Sequence, residues 1–304
     1  MKSRRWVVAG LEIGLTDVVT LGGLVLFTVM AAVFHRRIPH PLTVVGIGLL
    51  FIVLYMASLA AMARLRRPWP RFVLRTAAVQ LTFLQVYRAA NEIQLVFLPW
   101  QDDRVLAWEQ ALFGFQPVVA VQKFYTIPLS EWMFFVYVFY IVIYPVLGAV
   151  IFFRRGEEAN EDYLFQLSLV NLACGLGFIL FPVASPMHWE KVRALLTEPL
   201  TAGVFGVIAE WIRANIHQAG GSIPSPHCAV ATVMWFMALK YTRRGFHLLA
   251  PIILSLYAST VYGRFHYLSD TIAGIATGII VILAAPAIRR AWEGRPATVP
   301  GAAQ

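Results

Sequence analysis

Cysteine and charge are both scarce in this chain, and repeated sequence is absent. Two cysteines occur in 304 residues, Cys174 and Cys228, and both fall in apolar runs. That excludes a disulfide framework and a cysteine-built metal cluster, so both thiols read as packing residues. Charged residues make up only 13% of the chain, against roughly 25% in a soluble globular domain. No basic run is interleaved with exposed aromatics, so the net charge of +9 does not point to nucleic acid. The basic start, Met1 to Arg5, leads into an apolar stretch without a clear cleavage site and too long for a signal core, so a cleavable signal is not expected. No internal repeat stands out.

What the chain does have is hydrophobic length. Apolar residues reach 59%, with a mean hydropathy of +0.68. Runs of roughly 17–25 apolar residues recur, which predicts an all-α polytopic membrane protein. About eight transmembrane helices are expected, over 15–35, 41–63, 72–98, 128–153, 164–183, 228–241, 246–262 and 267–288. Residues 1–71 read as an N-terminal transmembrane hairpin, 72–290 as the catalytic transmembrane domain, and 291–304 as a disordered Pro/Ala-rich tail. Pro68 and Pro70 are expected to break the helix before the third span. The segment 99–127 reads as interfacial, 203–216 as an amphipathic helix at the interface, and Glu157 to Asp162 as a solvated acidic turn.

Basic residues give an orientation. With the N-terminus inside, the inner loops hold Arg64, Arg66, Arg67, Arg71, Arg154, Arg155, Lys240, Arg243, Arg244, Arg289 and Arg290. The outer loops hold fewer, spread over more residues, although Arg36 and Arg37 run against the trend. The expectation is an integral plasma-membrane protein in contact with membrane lipids, its active site on the extracytoplasmic side.

The chemistry concentrates in one hairpin, residues 222–270. It opens with Ser222-Ile223-Pro224-Ser225-Pro226-His227 and closes with Tyr262-Gly263-Arg264-Phe265-His266-Tyr267-Leu268-Ser269-Asp270. Two antiparallel helices joined by a basic turn bring His227 and His266 to one membrane face. Pro226 suits a first helical position. The N-terminus behind it offers backbone N–H groups to an anion, with Ser225 as a further donor. His266 and Asp270 share a helix face, and a carboxylate fixes the tautomer of an imidazole and raises its basicity. Such an imidazole can attack phosphorus. Two histidines and an aspartate could instead ligate zinc, but Ser225 and Arg264 suit phosphate better than a cation. Cationic candidates for that phosphate are Arg264, Arg193, Lys191 and Arg88, in that order. Arg264 could equally be an interfacial anchor. Arg88 and Glu92 are spaced to pair on one face.

Together these motifs resemble the type-2 phosphatidic acid phosphatase superfamily of membrane lipid phosphatases and phosphotransferases. Pro224-Ser225-Pro226-His227 is similar to its Pro-Ser-Gly-His motif, with Pro226 in the glycine position. Ser259 to Asp270 is similar to its Ser-Arg-x5-His-x3-Asp motif, with Thr260 in the arginine position. The resemblance spans roughly 165–288 and implies a six-helix catalytic bundle. It implies His266 as the phosphoryl-accepting nucleophile supported by Asp270, His227 as the acid on the leaving group, and Ser225 on the phosphate. It also implies a lipid phosphate substrate and neither cofactor nor metal.

The family's upstream Lys-x6-Arg-Pro motif has no match. Phe181-Pro182, Pro186-Met187-His188-Trp189, Lys191 and Arg193 stand there instead. These departures resemble the branch of inositol phosphorylceramide synthases and raise transfer to an alcohol against transfer to water. The residues leave open the lipid, the acceptor and the oligomeric state. A transporter or channel, or a catalytically inactive family member, is the alternative. Transport predicts polar groups or broken helices at mid-membrane, and the polar constellation lies near one face.

Overall fold

The computed structural model describes residues 5–8, 11–215 and 219–294. A helix occupies each of the eight expected spans: α1 (Leu15–Val33), α2 (Pro41–Arg64), α3 (Pro68–Ile93), α6 (Ile127–Arg155), α7 (Glu157–Leu180), α10 (Pro226–Tyr241), α11 (Arg243–Tyr262) and α12 (Leu268–Glu293). Between them lie α4 (Asp102–Phe113), α5 (Pro117–Ala120), α8 (Glu190–Arg193) and α9 (Val204–Asn215). Six of the eight are long and apolar enough to cross a membrane. The protein is an integral membrane protein of α-helices. The other two depart for identifiable reasons: α3 carries a polar stripe, and α10 has only 16 residues. Before α1 stands a short hairpin that periodicity did not reveal, β1 (Trp6–Val8) paired antiparallel with β2 (Leu11–Ile13). The tail beyond Gly294 lies outside the described residues.

Two expectations about boundaries are corrected. The helix does break at 65–67, but Pro68 and Pro70 are themselves in the first turn of α3, where a missing N–H costs nothing because it would have no intrahelical partner. Glu157 to Asp162 is not a solvated turn. Gly156, at φ 87°, turns the chain, and the acidic residues open α7. Acids are favourable in a first helical turn, and Glu161 and Asp162 find cations there. Asp162 accepts from Lys240 Nζ at 2.7 Å, from Tyr241 Oη at 2.7 Å and from Arg289 Nη2 at 2.5 Å.

The short helix α10 is the core of the bundle, packed against α12, α11, α7 and α6. Its residues Cys228, Ala229, Ala231, Val233, Met234 and Met237 are fully buried. Close approach to α12 depends on two glycines one turn apart, Gly274 and Gly278. A Cβ at Gly274 would sit 2.5 Å from the carbonyl oxygen of Ser225, and one at Gly278 2.8 Å from that of Ala229. Small residues four apart are how membrane helices come into backbone contact. This contact fixes the N-terminus of α12 against that of α10.

The helices α1 and α2 lean on α3, and α1 also on α7. The boundary drawn at residue 71 is bridged by a buried polar cluster. Arg75 of α3 binds Glu161 of α7 through Nε and Nη2 at 2.7 and 2.9 Å, and also binds Asp17 of α1. Tyr55 of α2 donates to Asp17 at 2.9 Å. Within 99–127, α4 and α5 are too short to span a membrane. Amphipathic α9 is capped by Glu131 of α6, which accepts from the N–H groups of Phe205 and Gly206 at 3.2 and 3.0 Å.

Candidate active site

The two halves of the hairpin meet at one end of the bundle. Ser225 is the N-cap of α10, Pro226 its first residue, and His227 follows in the first turn. Ser225 Oγ accepts from Cys228 N at 3.4 Å, and Ser225 N donates to the carbonyl of Asp270 at 3.0 Å. On the other side α11 ends at Tyr262. Arg264 then takes a left-handed conformation, φ 64°, which reverses the chain so that Phe265 N and His266 N both donate to Thr260 O at 3.0 Å. A left-handed non-glycine residue is uncommon and marks a conformation that the surroundings enforce.

His227 Nδ1 lies 3.3 Å from His266 Nε2. His266 is 2% exposed and Asp270 fully buried. The carboxylate stands 3.5 Å from His266 Nδ1, beyond a good hydrogen bond. Ser222 fills the gap. Its hydroxyl donates to Asp270 Oδ2 at 2.5 Å, leaving the oxygen to accept from His266 Nδ1 at 3.2 Å. This order of donors puts the His266 proton on Nδ1 and leaves the Nε2 lone pair facing His227. Asp270 Oδ2 also accepts from Tyr267 N at 3.0 Å, capping α12. Tyr137 stacks on His227 at 4.7 Å between ring centres and on Phe265 at 4.0 Å, which holds the imidazole from the side.

A second layer lies behind. Tyr267 Oη donates to Asp102 Oδ1 at 3.0 Å. Asp102 also accepts from the N–H groups of Ala184 and Ser185 at 2.8 and 3.2 Å. Glu109 accepts from Ser269 N at 2.8 Å. Thus α4 sits over the N-terminus of α12 with two buried carboxylates. Burial pushes the Asp102 carboxyl up to about 6, with Asp270 nearby adding to the rise against the lowering by its hydrogen bonds. Burial raises Glu109 as well.

A carboxyl whose folded pKa is raised binds more protons folded than unfolded. Its contribution to stability is complete below about 3.8 and is lost as pH climbs through about 6. The full shift corresponds to about 3 kcal/mol. The detergent-solubilised protein is therefore expected to lose thermal stability from pH 4 to pH 7 relative to Asp102→Asn, in which that part of the profile is flat. Parallel melting curves for the two proteins would show that Asp102 is not the titrating group.

The four residues His227, His266, Asp270 and Ser225 are brought together. The four basic candidates are not. Arg264 donates to Tyr125 Oη at 3.1 Å, to Gln122 Oε1 at 3.3 Å and to the carbonyl of Glu198, so its guanidinium staples the 122–125 and 198 segments. Lys191 is exposed and paired with Asp103 at 2.7 Å. Arg193 is exposed on α8. Arg88 is exposed on α3 and lines a separate cavity. The Arg88–Glu92 ion pair does not form. Arg preceding Glu by four is the weaker order for such a pair.

The zinc alternative does not fit the geometry. Asp270 lies on the Nδ1 edge of His266 and His227 on the Nε2 edge, so the three groups do not converge on one point. Thr260, where the resembled motif carries arginine, is fully buried and bonded to Tyr257 O at 2.8 Å and Thr271 Oγ1 at 2.9 Å. Sequence reasoning missed Ser222, Asp102, Tyr267 and Tyr137. A polar residue just ahead of the first motif was the only available signal for Ser222.

The family model of the PAP2 superfamily matches residues 103–284, more than half of the chain. No curated protein and no solved structure matches.

Proposed function

The chain belongs to the PAP2 superfamily, and from that premise we propose that it moves a phosphoryl group from a lipid phosphate or phosphodiester through a phosphohistidine at His266. The observation that carries this reading is the contact of His266 Nε2 with His227 Nδ1, backed by Ser222 and Asp270 on the other ring edge. His266 Nε2 forms a bond to phosphorus as the ester P–O bond breaks. His227 gives its proton to the departing oxygen. In the second half His227 takes a proton from the acceptor, whose oxygen displaces Nε2. The positive charge on the imidazole in the transition state is stabilised by the buried carboxylate of Asp270 through Ser222. Ser225, with the N-terminus of α10, binds the phosphoryl oxygens.

Water as acceptor gives a phosphatase, and an alcohol gives a phosphotransferase. Transfer to an alcohol, including a phosphoinositol group, is favoured by the resemblance to the inositol phosphorylceramide synthases, which also carry a non-arginine residue at the position of Thr260. The basic inner loops favour an orientation with the histidines on the extracytoplasmic side, and the proposed location is the plasma membrane. All eight helices are then spans, with α10 and most of the polar residues of α3 shielded by their neighbours. Residues 1–71 then form an accessory hairpin on the catalytic domain 72–290.

The deciding experiment incubates purified protein with phosphatidate, a polyprenyl diphosphate or phosphatidylinositol, each with and without ceramide or inositol. Free phosphate without added alcohol is the signature of a phosphatase. A new phosphodiester seen only with an alcohol is that of a transferase. Donor unconsumed under every condition would sink the enzymatic reading.

A further inference from the structure

The polar stripe of α3 divides into two. Gln94, with Tyr87 and Asn91 along the same face, turns toward the loop before Ser222. Gln94 Nε2 donates to Ala219 O at 3.1 Å, and its Oε1 accepts from Gly221 N at 3.1 Å. Gln85, Arg88 and Glu92 share a different face, one position round the helix, and turn toward α2. They line a cavity of about 180 Å3 with His40, Thr43 and Ile47. The bonds of Gln94 place it at the same end of the bundle as His227 and His266. It is nevertheless a separate space, because neither histidine lines it.

Three features mark the cavity as built for a ligand. Gln85 is only 5% exposed, and its side-chain amide makes no hydrogen bond among the described residues although it lines the space. The amide opens onto the space, where water or a ligand takes the place of a protein partner. Arg88 likewise has neither ion pair nor hydrogen bond among the described residues, despite Glu92 one turn away. The helix α2 begins here at Pro41 without a side-chain cap, so its first-turn N–H groups and the positive end of its dipole are open.

We propose that this cavity is an accessory phosphate site, in which Arg88, Gln85, Thr43 and the N-terminus of α2 hold the phosphate of a lipid head group or free phosphate, apart from the catalytic histidines. A guanidinium fork, an amide N–H, a hydroxyl and helix N–H groups are complementary to phosphate oxygens. The surroundings suit a lipid: Leu84 and Leu81, one and two turns deeper on α3, are 67% and 55% exposed, and Leu42 of α2 is 88% exposed. Acyl chains can lie along them while the phosphate sits at head-group depth. Glu92, one turn beyond Arg88, takes an amine or a hydroxyl of the head group.

The test uses His266→Ala protein in detergent and a phosphatidate carrying a diazirine near the head group, beside the matched diacylglycerol. The expected result is phosphatidate labelling within 41–47 and 84–92, about tenfold lower in Arg88→Ala and in Gln85→Leu and restored in part by Arg88→Lys. If millimolar inorganic phosphate abolishes the labelling, free phosphate is a ligand in its own right; if it does not, the site requires the lipid. Both results support a phosphate site. Equal labelling by diacylglycerol, or labelling indifferent to Arg88→Ala, overturns it. Gln85→Leu conserves volume, so loss of fold does not imitate loss of binding. Because label position is read without turnover, failure of the His266 mechanism and failure of this site are separately visible.

Discussion

His266→Ala is expected to lower turnover by about 10,000-fold or more, because in the proposed mechanism it removes the atom that takes phosphorus. Ser222→Ala is expected to cost less, about 10- to 100-fold, because the imidazole stays in place but its Nδ1 proton loses its acceptor. The distinction follows from the geometry. Asp270 stands 3.5 Å from His266 and reaches it through the Ser222 hydroxyl, at 2.5 and 3.2 Å. Ser222→Ala should lower kcat with little change in KM. Turnover unchanged in His266→Ala would sink the phosphohistidine mechanism and point to a nucleophile other than His266. Turnover unchanged in Ser222→Ala would mean that Asp270 acts on the imidazole directly once substrate is bound.

Much of this site was legible because its signals are local. Ser225 and His227 share one helix start, and His266 and Asp270 are four apart, so short-range spacing was enough to group them. Eight apolar runs located the helices for the same reason. What escaped depends on long-range contact. Asp102 reaches Tyr267 across 165 positions, and nothing near Asp102 sets it apart from its neighbour Asp103, which is exposed. The basic residues show the converse error. Arg264 lies two residues from His266, but a left-handed backbone turns its side chain to Tyr125 and Glu198. Nearness along the chain fixed position without fixing direction. The acidic run 157–162 misled because its hydrophilicity implied solvent, whereas its partners on α3, α10 and α12 allow Asp162 to be buried and Glu161 to be partly buried.

Arg75→Ala is expected to be the most destabilising single change at the end of the bundle remote from the histidines. Arg75 is 7% exposed and Asp17 3%, and the guanidinium holds the carboxylates of Asp17 and Glu161 together. Truncation leaves the buried Asp17 carboxylate and the partly buried Glu161 carboxylate without the guanidinium between them. Breaking a buried pair by removing one partner costs about 3–5 kcal/mol, which in detergent should lower the unfolding temperature by about 10 °C. The size reflects the number of elements joined, since Asp17, Tyr55, Arg75 and Glu161 come from α1, α2, α3 and α7. Replacing the whole cluster is a different matter. Arg75→Met combined with Asp17→Asn and Glu161→Gln removes the charges together and should recover most of the loss, because much of the penalty belongs to the stranded charges and not to the lost attraction. A triple variant as unstable as Arg75→Ala would show instead that the ion pairs themselves clamp the α1–α2 hairpin to the rest of the bundle. An Arg75→Ala protein melting with the wild type would show that water reaches these carboxylates freely.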